Sequence, residues 1–222
     1  TGLGKTAAAI LSWLWRRRFA SHEVRQVAPR RLVYCLPMRV LVEQTRDKAL
    51  GWLNNLGLGT PEASGVSITV LMGGEEDDSW DCRPEADAIL VGTQDMLLSR
   101  ALNRGYGMSR YRWPLHYGLL HNDCLWVVDE VQLMGDGLAT TTQLQAIRRK
   151  IGTLAPTSTL WMSATMDAAW LQTVDVDPTL DTVGEVSLTA EDKRTHEVKI
   201  RSEAPKSPAL RGRQDGRRPG PC

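Results

Sequence analysis

The sequence predicts an α/β domain in which helices cover both faces of a parallel sheet. The main observation is the run CLWVVDE at residues 124–130, where five uncharged residues lead directly into two acids. A strand without charged residues is typical of a sheet that is buried on both faces. Further apolar runs alternate with amphipathic segments along the chain, which is the order expected when crossover helices join parallel strands.

Each element is predicted from its local pattern. Short apolar runs that stop at Pro, Gly or polar residues indicate strands, and apolar residues at helical spacing indicate helices. We predict strands at 31–37, 66–72, 88–91, 124–128 and 158–162, and helices at 7–15, 38–56, 95–102, 138–154 and 168–173. A domain of this size is expected to have about six strands.

Two regions give weaker signals. Residues 103–123 are rich in Gly, aromatic and basic residues without a clear period, so we predict a long irregular insertion. After residue 175 only 185–188 could form a strand. We therefore predict a domain at 1–190 and a tail at 191–222 that is disordered because it lacks apolar residues.

The chain begins TGLGKT, which fits the end of the phosphate-binding loop G-x-x-x-x-G-K-[ST]. Backbone N–H groups at Gly2 and Gly4 would face phosphate oxygens, Lys5 would reach the β- and γ-phosphates, and the Thr6 hydroxyl would bind Mg²⁺. A glycine-rich turn before a helix is the simpler alternative. The first glycine of the motif would precede residue 1, so we expect the chain to be a fragment.

The acids Asp129 and Glu130 follow the predicted strand at 124–128. In open α/β sheets, ligands bind beyond the carboxyl ends of the strands. Two adjacent carboxylates at such a place are costly to desolvate without a cation, which favours a bound divalent metal. A pair of surface acids is the alternative, and the phosphate-loop motif argues against it.

Composition limits the function classes. The net charge is +1, but residues 201–222 carry six basic and two acidic side chains (+4), which leaves 21 basic and 24 acidic (−3) elsewhere. A nucleic-acid site on the folded part must therefore be a local patch. The four cysteines show no metal-binding spacing, and no run is long enough to span a membrane, so we expect a reduced, cytoplasmic protein.

Taken in order, the segments GKT, LPMRVLVEQT, GG, VGTQDMLL, DEVQ and SAT resemble the first motor domain of superfamily-two helicases. The stretch at 91–135 further resembles the CRISPR-associated helicase–nuclease of type I systems, subtype G. The resemblance covers residues 1 to about 165. It implies a RecA-like P-loop NTPase lobe that uses ATP and Mg²⁺.

The resemblance also implies roles for individual residues. Lys5, Asp129 and Glu130 would be catalytic, with Asp129 and Thr6 holding the metal and Glu130 activating the attacking water. Gln132, where many relatives have His, would couple nucleotide state to nucleic-acid grip together with Ser163 and Thr165. The last two could instead cap the next helix.

Five residues match segments that hold the sugar–phosphate backbone of one strand in this family: Arg39, Gly73, Gly74, Thr93 and Gln94. A guanidinium, backbone N–H groups and a hydroxyl can bind phosphate without reading bases. Arg39 could also be an ordinary surface residue, and Gly73-Gly74 a plain turn.

Two clusters are left open by the residues. The aromatic residues Tyr106, Tyr111 and Trp113, interleaved with arginines, could stack bases, but packing against the domain is the favoured interpretation. Arg148 and its two basic neighbours are predicted to form a solvated helix face.

By resemblance, the partners are single-stranded DNA, a guide-RNA surveillance complex, and a second motor lobe and HD nuclease domain of the same protein. Without that second lobe the fragment should be inactive. Two alternatives stay open, namely a DExH-type RNA helicase lobe and a non-catalytic nucleotide-binding remnant of a truncated gene.

Overall fold

A computed structural model describes residues 4–59, 65–73, 75–76, 79–178 and 184–203. The chain divides into two compact units, whose described parts are residues 4–184 without the gaps just given and residues 185–203. In the described part, no helix is long and apolar enough to cross a membrane.

The first unit is a six-stranded sheet with helices on both faces. Its strands are β1 (Arg31–Leu36), β2 (Ser67–Met72), β3 (Glu75–Glu76), β4 (Ala88–Thr93), β5 (Cys124–Asp129) and β6 (Thr157–Met162). Its helices are α1 (Lys5–Leu14), α2 (His22–Val27), α3 (Arg39–Asn55), α4 (Gln94–Ala101), α5 (Trp113–His121) and α6 (Asp136–Ile151), with a π-helical turn at Trp15–Phe19.

The strand order is β3-β2-β4-β1-β5-β6. Five strands are parallel, and the two-residue β3 pairs antiparallel with the end of β2. All six residues of the central strand β1 are buried, as are all six of β4. The parallel α/β sheet flanked by helices is therefore confirmed.

Two apolar cores lie on opposite faces of the sheet because neighbouring residues of a strand point to opposite sides. On one face, Val33 and Cys35 of β1 pack with α4 and α6. On the other face, Leu32 and Leu36 pack with α1 and α3. Burial of each large apolar side chain contributes about 1.5–3 kcal/mol, so the two cores fix the helices against the sheet.

The predicted strands and long helices are present, with ends shifted by a few residues. The irregular insertion at 103–123 is wrong in part, because it contains α5 (Trp113–His121). Pro114 lies at the start of that helix, where its missing N–H costs no intrahelical hydrogen bond. The possible strand at 185–188 does not form.

In the second unit, within the predicted tail, a 3₁₀ turn at Asp192–Arg194 precedes a helix, α7, at His196–Glu203. The remainder of the predicted tail, residues 204–222, lies outside the described residues.

The solvated face predicted at the end of α6 is wrong for Arg148, which is only 5% exposed. Its guanidinium carbon lies 5.0 Å from the centre of the Trp126 ring, and its Nε donates to Nδ1 of His121 over 3.3 Å. His121 in turn donates from Nε2 to the carbonyl oxygen of Ala101, so His121 is neutral. Burial lowers the pKa of Arg148 to about 10. The cation therefore joins α5, α6 and β5.

The tyrosines at 106 and 111 also depart from prediction. Tyr106 is 74% exposed and Tyr111 is 96% exposed, so the favoured interpretation, packing against the domain, is wrong for both.

Gly92 provides a test of how closely β4 packs. A Cβ atom there would lie 2.6 Å from the carbonyl oxygen of Leu71 and 3.0 Å from Cγ of Leu97. We expect Gly92→Ala to lower the free energy of unfolding by about 1–3 kcal/mol, since overpacking forces backbone to move.

The matched control is Gly51→Ala in the middle of α3, where a Cβ meets nothing within 4 Å. This substitution should raise the free energy of unfolding by about 0.5–1 kcal/mol, because alanine favours helix more than glycine does. Urea denaturation of both variants checks the pair. Equal effects of the two substitutions would contradict the packing of β4 described above.

Candidate nucleotide and nucleic-acid site

The predicted site residues follow the carboxyl ends of the parallel strands, which meet at one edge of the sheet. We call it the carboxyl edge. Across the sheet from β2 to β6, the residues at or just after the strand ends are Gly73, Thr93, Arg39, Asp129 and Ser163. Neighbouring strands lie about 4.8 Å apart, so β2 and β5 are separated by roughly 14 Å.

Lys5 is the first residue of α1, and Gly4 before it has a left-handed backbone with φ of 80°. The Lys5 ammonium lies 3.9 Å from Oδ1 of Asp129 and 3.7 Å from Oε1 of Glu130. Its nitrogen is shielded from solvent and has no hydrogen-bond partner among the described residues. Three unused N–H donors at the start of a helix suit an anion with several oxygens, such as a phosphate chain.

Tyr34 is a site residue that sequence reasoning missed. Its hydroxyl donates to Oδ2 of Asp129 over 2.7 Å. Burial, and next the Asp129 charge, raise the pKa of Tyr34 well above its usual value, against a smaller opposite effect of the Thr6 hydroxyl. Tyr34 therefore stays protonated and holds the aspartate in place. The available signal was a lone hydroxyl within the apolar run RLVYCL, because such a group needs a polar partner.

Thr6 and Asp129 were predicted to hold magnesium. Asp129 accepts from the Tyr34 hydroxyl, and the Thr6 hydroxyl lowers the pKa of the same tyrosine, so both oxygens act on one buried group beside the Lys5 ammonium. Mg²⁺ prefers such oxygen ligands, and it usually binds proteins through one or two of them and takes the rest from phosphates and water. The described residues contain no group of three or more His, Cys, Asp or Glu side chains that could enclose a metal. The donor set thus fits a magnesium shared with phosphates.

Glu130 has a left-handed backbone, with φ of 53° and ψ of 46°. This conformation costs roughly 1–2 kcal/mol for a residue with a Cβ. The Glu130 N–H donates to Oδ1 of Asp129 over 2.8 Å. The turn separates two adjacent carboxylates, since Asp129 is 5% exposed while the side chain of Glu130 is 25% exposed. Glu130 can therefore reach solvent that Asp129 cannot.

A chain of hydrogen bonds leads from Glu130 to the end of β6. The Gln132 amide nitrogen donates to Oε2 of Glu130, and the Ser163 hydroxyl donates to the Gln132 amide oxygen over 2.8 Å. The Thr165 N–H donates to the Ser163 hydroxyl over 3.1 Å. The three predicted coupling residues are thus in contact, with Gln132 in the middle. The next helical turn is capped by Asp167, whose carboxylate accepts from Ala169 N–H over 2.9 Å. Ser163 and Thr165 therefore do not cap it.

The predicted nucleic-acid residues are more scattered. Arg39 begins α3, and both it and Gly73 after β2 are exposed. Thr93 is buried to 8% exposure, and the amide oxygen of Gln94 is shielded where Gly137 of α6 approaches it closely. Of these four, Arg39 and Gly73 are therefore accessible to a strand.

Two predicted site residues, Gly2 and Gly74, lie outside the described residues.

Two solved structures are similar to this chain. The chain resembles the yeast DEAD-box splicing factor Prp28, with 23% identity, 76% of this chain and 36% of that chain covered, and a TM-score of 0.47. It also resembles the DUF1998 helicase MrfA bound to DNA and AMPPNP, with 15% identity, 73% and 26% covered, and a TM-score of 0.45. No curated protein matches the sequence.

This chain therefore spans about a third of the length of the Prp28 chain and about a quarter of the length of the MrfA chain. At the level of the family the match is direct, because residues 1–174 match the DEAD/DEAH box helicases. The chain belongs to the DEAD/DEAH box helicase family.

Proposed function

We propose that this chain is the first motor lobe of an ATP-dependent DNA helicase that moves along one strand. The observation that carries the proposal is the buried Lys5 ammonium, 3.9 Å from Asp129 and without a hydrogen-bond partner among the described residues. One ammonium faces two carboxylates, and its N–H donors are unused, so the group suits a ligand that brings both a cation and hydrogen-bond acceptors. The triphosphate of ATP, with magnesium, supplies both an anion for Lys5 and a cation for Asp129.

The side chains divide the work of hydrolysis. Lys5 would bind the β- and γ-phosphates, and Thr6 and Asp129 would hold a magnesium ion, whose charge would offset that of the transferred group. The more exposed Glu130 orients the attacking water and accepts its proton. Because Gln132 contacts both Glu130 and Ser163, a change in the position of Glu130 shifts the hydrogen bonds at the end of β6.

The nucleic-acid contact is proposed at Arg39 and Gly73, with Thr93 and Gln94 along the same edge. Gly74 stays part of the proposal on its sequence alone. Contacts to the sugar–phosphate backbone do not distinguish bases, which suits movement along any sequence. The shielded amide of Gln94 would have to turn away from Gly137 to take part.

We further propose that the full protein acts in type I CRISPR interference, with a second motor lobe, an HD nuclease domain and recruitment by a guide-RNA complex. The support is the resemblance of residues 91–135 to that helicase–nuclease. An RNA helicase lobe is the competing function, because the match to the DEAD/DEAH box family does not distinguish DNA helicases from RNA helicases.

Removing the Lys5 ammonium should weaken nucleotide binding. We expect Lys5→Ala to bind a fluorescent ATP analogue with Mg²⁺ about 10- to 100-fold more weakly, since hydrogen bonds to charged groups contribute about 1.5–3 kcal/mol. Fluorescence titration of the chain measures this. Lys48→Ala, on the exposed side of α3, is the matched control and should bind as the unaltered chain does. Equal affinity of all three proteins would refute the assignment of Lys5.

Replacing Glu130 by Gln should separate binding from hydrolysis. In a protein that contains both motor lobes, Glu130→Gln should retain ATP binding and lower the DNA-stimulated hydrolysis rate about 10²- to 10⁴-fold, as expected for loss of a general base. Phosphate release is the measurement. A variant that kept most of its turnover would show that another group activates the water.

The Tyr34 hydroxyl should stabilise the site without taking part in hydrolysis. Tyr34→Phe removes the partner of a buried Asp129 oxygen, so we expect the free energy of unfolding to fall by about 1–3 kcal/mol. Saturating Mg²⁺ and ATP should recover part of this loss, because the metal gives Asp129 a new partner. Urea denaturation with and without the ligands tests both statements; an unchanged unfolding midpoint in Tyr34→Phe would refute the first.

The choice between DNA and RNA needs a direct comparison. With both lobes present, single-stranded DNA should stimulate ATP hydrolysis more than RNA of the same sequence, and Arg39→Ala should reduce the stimulation. Greater stimulation by RNA would replace the DNA proposal with the RNA helicase.

A further inference from the structure

A basic and aromatic segment between α4 and α5 has no part in the site described so far. From Met96 to Asn122 the sequence contains four arginines and neither Asp nor Glu. We call residues 103–112, with the sequence NRGYGMSRYR, the tyrosine loop. Its composition combines the two features that suit a single-stranded nucleic acid, namely cations for phosphates and rings for bases.

The C-terminal end of the tyrosine loop is held by a buried carboxylate. Arg112 donates from Nε to Oδ2 of Asp81 over 3.0 Å, and Nε2 of His116 lies 2.9 Å from the same oxygen. The Asp81 side chain is only 3% exposed. Burial opposes ionisation, but the hydrogen bonds and charges of Arg112 and His116 prevail and lower the pKa of Asp81. The loop is therefore anchored through an ionised group.

The N-terminal end of the tyrosine loop is held by α4 and lies close to the C-terminal end of the loop. The Arg104 N–H donates to the carbonyl oxygen of Ser99 over 2.8 Å. A Cβ atom on Gly105 would lie 2.0 Å from Sδ of Met108 and 3.1 Å from Cδ1 of Trp113, so the backbone passes directly against both side chains. Residues 105 and 113 are thus neighbours, and the tyrosines between them project from one compact loop.

The tips of this anchored loop are exposed. Tyr106 and Tyr111 have 74% and 96% of their surface accessible, so neither ring contributes much to the core. Arg104 and Arg110 are exposed as well, and the Arg110 guanidinium carbon lies 6.0 Å from the centre of the Trp113 ring. Large aromatic side chains held in water beside cations, on a fixed base, are arranged for a ligand rather than for folding.

We propose that the tyrosine loop is a second binding site for single-stranded nucleic acid. Bases stack on Tyr106 and Tyr111, and Arg104 and Arg110 neutralise the adjoining phosphates. Every base has a π face, so the site accepts any sequence. A protein partner could also use tyrosine and arginine, but it would need acidic residues of its own to match a segment that contains neither Asp nor Glu.

The loop follows the end of α4 that is remote from the carboxyl edge, where α4 begins with Gln94. Ser99, which holds Arg104, is five residues from Gln94 along α4, or about 8 Å along the helix axis. Stacking does not depend on nucleotide, so this site and the proposed ATP site can be tested separately.

Binding of labelled oligonucleotides to the full chain, without nucleotide, tests the stacking. The double variant Tyr106→Leu/Tyr111→Leu should bind an oligo(dT) strand at least about 30-fold more weakly by fluorescence anisotropy, the loss expected for two stacked bases. The double variant with Phe at both positions keeps the rings and should stay within about threefold of the unaltered chain, because stacking needs no hydroxyl. Trp15→Leu removes an exposed aromatic ring on the other face of the sheet, and it should have no effect.

The site itself is located by photo-crosslinking with oligonucleotides that contain iodouracil, followed by peptide mapping. We expect attachment at Tyr106 or Tyr111 with a DNA strand, an RNA strand or both, and the stronger signal identifies the natural ligand. Attachment only at the carboxyl edge would overturn the proposal. So would undiminished binding by the Leu double variant, or displacement of the oligonucleotide by an acidic polypeptide without any crosslink to the loop.

Discussion

The attraction between the Lys5 ammonium and the carboxylates of Asp129 and Glu130 is the interaction on which the rest of the site depends. Lys5 begins α1 and the acids end β5, so the contact joins two elements that are 124 residues apart in sequence. Because β1, β5 and β6 are parallel and in register, the two acids lie at the carboxyl edge, and the packing of α1 on one face of this sheet brings Lys5 to them. Any slip in this register would move the acids away from the start of α1.

The same register gives Asp129 its surroundings. Tyr34 and Val127 are paired across β1 and β5. Asp129 lies two residues after Val127 and therefore on the same face of the sheet, where the Tyr34 hydroxyl reaches it. Its hydroxyl and the Glu130 N–H each take one oxygen of the Asp129 carboxylate. A buried carboxylate with both oxygens hydrogen-bonded keeps a single orientation, which is what a metal ligand requires. The left-handed turn at Glu130 then directs the second acid toward Gln132 and solvent.

Much of this could be predicted from the sequence. Lys5 and Asp129 were identified because a phosphate loop and a buried strand ending in acids are local patterns. Tyr34 was missed because a lone hydroxyl in an apolar run shows that a polar partner is needed, but not that this partner lies 95 residues away. Arg148 was predicted to face solvent because helical periodicity does not reveal its contacts with Trp126 and His121. The helix α5 was missed because Pro114 and Gly118 weaken its helical pattern in the sequence. Packing against α4 stabilises the helix in the fold.

The tyrosine loop illustrates the reverse case. Composition alone could not separate rings that pack from rings that are presented to a ligand, because both uses select the same residues. The anchor at Asp81 separates the two cases, since the ion pair between the buried Asp81 and Arg112 fixes the base of the loop while the two tyrosines stay in water.

The central claim is that Lys5 and Asp129 enclose a magnesium–triphosphate. A crystal structure of the chain with Mg²⁺ and a non-hydrolysable ATP analogue tests it most directly. The account predicts the Lys5 ammonium on the β- and γ-phosphates and the metal on the side of Thr6 and Asp129. A nucleotide bound away from the carboxyl edge, with Lys5 still resting on Glu130, would contradict it.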